Sequence, residues 1–139
     1  MSLKNHKFIV VKKIKVPENI SQDSLNEIDM LTKLEHENIV KYYDSCIEND
    51  NEILIYMEYM NQGSLRQLMD RFGPFKNEEV LSNYARQILS GLNYLHSQNV
   101  IHGDIKAANI LTDSKANLKL SDFGASKIVD VILEGLDVS

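Results

Sequence analysis

From Phe8 to Val16 the chain is rich in β-branched apolar residues, which predicts a strand, and a period of two puts Phe8, Val10, Lys12, Ile14 and Val16 on one face. Lys12 is the charged member of that apolar row. Beyond Pro17 the period lengthens. Ser24-Leu25-Asn26-Glu27 has capping-box form, and Leu25, Ile28, Leu31 and Leu34 then recur at helical spacing. Glu27 falls in register with Leu31 and Leu34, so a carboxylate shares the face meant for burial. Ile39 to Tyr43 and Glu52 to Met60 read as two further strands, separated by the polar turn Glu48-Asn49-Asp50-Asn51.

Downstream the pattern is mainly helical. Ser64 can cap a short helix with Leu65, Leu68, Met69 and Phe72 on one side, stopped by Gly73-Pro74. A longer helix runs from near Asn77 to about His96, with Leu81, Tyr84, Ala85, Ile88, Leu92 and Leu95 as its stripe. Short apolar pieces come next at Val100-Ile101, Ile110-Leu111-Thr112 and Leu118-Lys119-Leu120, with a turn over Asp113 to Asn117. The order is strands with one helix, two helices, then a hairpin, a segregated α+β class.

Composition narrows the field. At 139 residues with 43% hydrophobic and 25% charged positions, the chain has ordinary globular usage and the length of one compact domain. Its net charge is −5, and the basic cluster Lys12, Lys13 and Lys15 lies inside an apolar strand, so nucleic acid is not an expected partner. Cys46 is the single cysteine, which rules out an intramolecular disulfide and Cys-rich zinc patterns; it reads as an inert, partly buried thiol. The first residues lack the apolar core of a signal peptide, and no apolar run approaches the roughly 20 residues that span a bilayer. No membrane insertion is expected, and the expected location is cytoplasmic.

The chemistry concentrates in two places. His102-Gly103-Asp104-Ile105-Lys106-Ala107-Ala108-Asn109, followed by Asp122-Phe123-Gly124, resembles the protein kinase catalytic loop H-R-D-x-x-x-x-N and the D-F-G motif, with paired strands between them. Upstream, Val10-Val11-Lys12 resembles V-A-I-K, and Met57-Glu58-Tyr59-Met60 resembles the kinase hinge. The resemblance runs from about Phe8 to Ile128. It implies a partial two-lobe kinase fold, with the small lobe and hinge over residues 8–60, the start of the large lobe over 61–128, and an off-pattern tail over 129–139. Phrases such as Asn61-Gln62-Gly63-Ser64-Leu65 and Gly124-Ala125-Ser126-Lys127 are most similar to the kinase kinase kinases of mitogen-activated cascades.

The same resemblance implies roles. Phosphoryl transfer asks a protein chiefly to position the nucleophile and neutralise charge on phosphate oxygens. Asp104 would accept or orient the proton of the substrate hydroxyl, and Lys106 matches the lysine that serine/threonine kinases place near the transferred phosphate. Asn109 and Asp122 would hold Mg²⁺, a hard cation that takes oxygen ligands, against ATP. Lys12 would contact the α- and β-phosphates with Glu27 as its helix partner, so two charges costly to bury singly would resolve each other. Met57 would be the gatekeeper, Glu58 and Met60 would turn backbone groups to the adenine edge, and Leu111 would floor that site. Leu31, His102 and Phe123 would join a hydrophobic column linking the lobes, with His102 a packed histidine that carries no chemistry.

Departures from the family pattern point to a domain truncated at both ends. A glycine-rich loop is not found ahead of Val10, and an A-P-E segment is not found after Lys127. Gly103 stands for the customary Arg, and Val10 for the customary Ala above the adenine. Two functions fit these residues: a serine/threonine kinase moving the ATP γ-phosphate to a protein substrate, a downstream kinase among the candidates, or an inactive kinase-like fragment acting as a binding module. Taken singly, Lys12 and Glu27 would read as solvated surface charges, and Asp104 and Asp122 as turn residues.

Overall fold

The computed structural model describes residues 8–16, 18, 20–49, 51–100 and 102–121, apart from the side chains of Ser24 and Glu27. Strand β1 (Ile9–Lys15) is followed by helix α1 (Gln22–Thr32), β2 (Tyr42–Asn49), β3 (Glu52–Glu58), α2 (Leu65–Phe72) and α3 (Glu78–Ser97). A short 3₁₀ turn (Ala107–Asn109) then leads into the hairpin β4 (Ile110–Thr112) and β5 (Leu118–Leu120).

β1, β3 and β2 form an antiparallel sheet in that order, with Val10 opposite Met57 and Lys12 opposite Ile55. The central strand alternates as a half-buried strand should: Ile53, Ile55 and Met57 are buried and their neighbours are not. β1 follows its expected row only in part. Val16 is buried and Lys12 and Ile14 half-buried, but Val10 is 41% exposed and Phe8 79% exposed.

Helix boundaries follow local capping chemistry. Ser64 Oγ accepts from Gln67 N (3.2 Å) while Gln67 Oε1 accepts from Ser64 N (2.9 Å), the reciprocal box that starts α2. Gly63, at φ 72°, sits so close that a Cβ there would run into the Gln67 side chain. α2 stops at Gly73 (φ 81°), whose N–H returns to the Met69 carbonyl. Asn77 caps α3 by accepting from Glu79 N and Val80 N, and Glu78 and Glu79 suit the positive end of the dipole.

Three expectations shift. α1 begins at Gln22, with the Ser21 carbonyl accepting from Leu25 N, so Ser24 lies inside the helix and does not cap it. The extra turn satisfies backbone groups that a later start would leave to solvent. β2 runs over Tyr42–Asn49, later than the expected strand at Ile39 to Tyr43. Ile39 and Val40 are buried, but they pair across the molecule with β5: Val40 N donates to Leu120 O (3.0 Å) and Leu120 N to Asn38 O (2.8 Å). Cys46 is exposed on β2, its Sγ 3.7 Å from Tyr56 Oη, because this strand turns much of its surface to solvent.

The core runs continuously from Ile28, Leu31 and Leu34 through Val40, Ile53 and Ile55 to Leu95, Leu118 and Leu120. Along α3 the stripe is buried at Leu95 and half-buried at Tyr84, Ile88 and Leu92, while Leu81 is 44% exposed. Phe72, counted with the inner side of α2, points outward.

The β4–β5 turn is held by one carboxylate. Asp113 Oδ1 accepts from Lys115 N (2.8 Å) and Asn117 N (3.0 Å), and Oδ2 accepts from Asn117 Nδ2 (2.9 Å). Partial burial pushes this carboxyl up, but the hydrogen bonds from Asn117 and Lys115 outweigh it and hold it below the usual range. A depressed folded-state value means the stabilisation is present above about pH 4, the unfolded value, and is lost as pH falls through the folded one. Asp113→Ala should therefore cost about 1 kcal/mol at pH 7, and its gap from wild type should close in acid. Urea midpoints measured at neutral and acidic pH check both parts.

Candidate active site

The loop between α3 and β4 is organised round a buried imidazole. His102 is 2% exposed; its Nε2 lies 2.8 Å from the Ser121 carbonyl and its Nδ1 3.0 Å from Asp104 N. A carbonyl only accepts and an amide only donates, so Nε2 carries the proton and Nδ1 accepts. One ring thus ties the end of β5 to the backbone of Asp104. Gly103 between them has φ 78°, a left-handed conformation that a side chain would strain.

Asp104 and Asn109 face each other. Asn109 Nδ2 donates to both the Asp104 carbonyl (3.1 Å) and Asp104 Oδ2 (3.0 Å), and Asn109 is buried. Using the amide nitrogen twice orients the group, and Asn109 Oδ1 takes no hydrogen bond among the described residues. Its own carbonyl accepts from Ser121 N (2.9 Å) and Ser121 Oγ (3.3 Å), so β5 grips the turn that presents it. Lys106 Nζ stands 3.5 Å from Asp104 Oδ2 with both side chains largely in water, at 59% and 42% exposure. That pair fixes little energy but keeps a mobile cation beside the carboxylate.

The residues read as the hinge, Met57 to Met60, begin in the last two positions of β3 and continue past it. Met57 and Met60 are buried, and the register sets Val10 against Met57 and Lys12 two residues further along the same face. Glu58 N donates to Lys41 O (2.8 Å) and the Met60 carbonyl accepts from Gly63 N (3.3 Å), whereas Met60 N has no acceptor among the described residues. Leu111 is half-buried on β4, bridged to Ser64, and the flanking bonds Thr112 N to Gly63 O (2.9 Å) and Gln62 N to Thr112 O (3.2 Å) fasten that strand to the hinge exit. Leu31 is buried on α1. Asp122 and Phe123, and the Glu27 side chain, lie outside the described residues.

Sequence reading overlooked the side-chain chemistry behind the hinge. The Glu58 carboxylate accepts from Lys119 Nζ (2.8 and 3.0 Å) and from Lys41 N (3.1 Å), joining β3 to β5. Lys41 Nζ in turn donates to the Thr32 and Leu34 carbonyls (3.0 and 3.1 Å), where a cation suits the end of α1. Asn38 and Gln87 join Glu58 and Lys119 in the wall of a cavity of about 690 Å³. A second cavity of about 640 Å³ includes Glu58 and Met60. Neither wall contains Lys12, Asp104 or Asn109.

Comparison with known families assigns the class: the protein kinase domain family matches residues 1–132, and the chain belongs to it. The small antiparallel sheet with its helices is part of the two-lobe protein kinase fold. The chain is 44% identical over 132 residues to MAP3K epsilon protein kinase 2 of Arabidopsis thaliana, covering 91% of this chain and 9% of that protein. It is 43% identical over 129 residues to mitogen-activated protein kinase kinase kinase 3 of the same plant, covering 88% and 21%. To cell division control protein 7 of Schizosaccharomyces pombe it is 42% identical over 135 residues, covering 95% and 12%. The chain thus spans between 9% and 21% of the length of these curated relatives.

Proposed function

We propose that this chain is the nucleotide-handling and phosphoryl-transfer portion of a serine/threonine protein kinase, which moves the γ-phosphate of ATP to a protein Ser or Thr hydroxyl in intracellular signalling. The observation that carries the reading is the Asp104–Asn109 pair. The amide spends its nitrogen on Asp104, and its oxygen, the donor a hard divalent cation prefers, accepts no hydrogen bond among the described residues, in a loop pinned by a buried histidine.

Asn109, together with Asp122, would hold Mg²⁺, which when bound neutralises charge on the ATP phosphates. Asp104 Oδ1, not engaged by Asn109, would accept the proton of the incoming hydroxyl, while Lys106 beside it would offset charge on the phosphate being transferred. Lys12, paired with Glu27, would steady the α- and β-phosphates from the sheet. Met57 would bound the adenine pocket and Leu111 floor it, with the Met60 N–H and the Glu58 backbone turned to the base edge. The split into a small lobe over 8–60 and the start of a large lobe over 61–128 fits the two sheets, joined through the hinge.

The relatives named as kinase kinase kinases support a protein substrate that is itself a kinase. Among the described residues no helix is long and apolar enough to cross a membrane. The test is transfer of labelled γ-phosphate by the intact protein. Mg²⁺-dependent label on Ser or Thr of a protein acceptor is expected, with a Mg·ATP thermal shift worth about 2.7 kcal/mol at a hundredfold excess over Kd. The absence of both label and shift would overturn the reading.

A further inference from the structure

Helix α3 hydrogen-bonds to β5 and the turn before it through the Gln87 side chain. Gln87 Oε1 accepts from Leu118 N (2.8 Å) and from Asn38 Nδ2 (3.1 Å), while Gln87 Nε2 donates to the Ala116 carbonyl (3.1 Å). Asn38 Nδ2 donates a second time, to Leu118 O (2.9 Å), and Asn38 is only 5% exposed. The edge of β5 turned away from β4 is therefore bonded residue by residue. Leu118 is held by the two amide side chains, and Leu120 by the Asn38 and Val40 backbone.

One turn along the same face of α3, Gly91 lets the helix approach. A Cβ there would stand 3.0 Å from both Asn38 O and Leu120 Cδ1. Helix, strand and the segment at Asn38 are thus fixed against one another at two heights, by contact at Gly91 and by hydrogen bonds at Gln87. A strand of three residues has little register of its own, since a slip by one residue inverts its faces. The residue just past β5 makes that register matter: Ser121 grips the Asn109 carbonyl, receives His102, and precedes Asp122 in the chain.

We infer that Gln87 is a positioning residue for the metal-binding arm of the site, setting the register of β5 and through Ser121 the placement of Asn109. The inference rests on the kinase reading for the reaction it serves and on the hydrogen bonds for its geometry. Gln87 itself lies with the polar wall behind the hinge and touches neither Asp104 nor Asn109.

Two readouts on the intact protein separate the possibilities. In Gln87→Ala the Mg²⁺ concentration for half-maximal transfer should rise roughly three- to tenfold, with kcat at saturating Mg²⁺ changed less. Gln87→Glu keeps both acceptor contacts and loses the donor, so its rise should be smaller, and Asn38→Ala added to Gln87→Ala should raise the value little further. Amide hydrogen exchange needs no activity. Leu118, Leu120 and Ser121 should exchange faster in Gln87→Ala while the β3 amides keep their protection. Acceleration confined to Leu118, or spread evenly over the molecule, would overturn the inference, as would an unchanged Mg²⁺ requirement in an active variant. A wild type without Mg²⁺-dependent transfer but with the expected Ser121 response would sink the kinase reading and leave the register role standing.

Discussion

Asp104→Asn should abolish phosphoryl transfer while leaving nucleotide binding and stability close to wild type. The replacement is nearly isosteric. Its carbonyl oxygen can still accept from Asn109 Nδ2, and the backbone carbonyl of residue 104, the second acceptor for that amide, is untouched. The lost ion pair with Lys106 is solvent-exposed and worth about 0–1 kcal/mol, so the fold should scarcely register the change. Chemistry should register it strongly. An amide cannot take the hydroxyl proton, and removing a positioned base costs roughly 10²- to 10⁴-fold in rate. The informative measurement is paired: kcat for γ-phosphate transfer beside the thermal shift with Mg·ATP. A variant that binds nucleotide as wild type and turns over at the wild-type rate would remove Asp104 from the mechanism.

The hydrogen-bonding residues of that loop were legible because their spacing is local. Asp104, Lys106 and Asn109 fall within one short loop, and the hairpin after them is marked by two apolar triplets round an Asp-led bend. The cap at Ser64 and the start of α3 near Asn77 were legible for the same reason, since a capping side chain reaches only its own first turn. Period-two reading failed at β2, where apolar Ile39 and Val40 suggested strand. Their burial comes from pairing with β5, far along the chain, while the true strand is exposed along most of Asp44 to Asn49, Ile47 included, and shows no clean alternation. Glu58–Lys119 and Asn38–Gln87 were not legible at all. Polar residues far apart in sequence carry no periodic signal of their contact, and each has a surface role as its simplest reading. Sequence therefore exposed the residues proposed to touch substrate better than those that hold them in place.

His102→Ala should be among the most destabilising single changes in the chain. It strips a partner from the buried Ser121 carbonyl and from Asp104 N, each loss costing about 1–3 kcal/mol, and it leaves a void where the ring was packed. The sum, about 3–6 kcal/mol, is a large part of the 5–15 kcal/mol that holds a typical domain together, so the urea midpoint should fall steeply. His102→Phe separates packing from hydrogen bonding. It refills the void and loses both bonds, so it should recover part of the stability without recovering turnover. With Asp104 N released, the residue keeps only its hydrogen bonds from Asn109 Nδ2, and a displacement near 1 Å is enough to cost about a hundredfold. Since the Nε2 proton is engaged by the Ser121 carbonyl in a buried position, the ring is not expected to serve as acid or base, and the pH–rate profile of the folded Phe variant should keep its shape while its height drops. Full turnover in His102→Phe, or a loss below about 1 kcal/mol in His102→Ala, would show that the loop is held by something other than this imidazole.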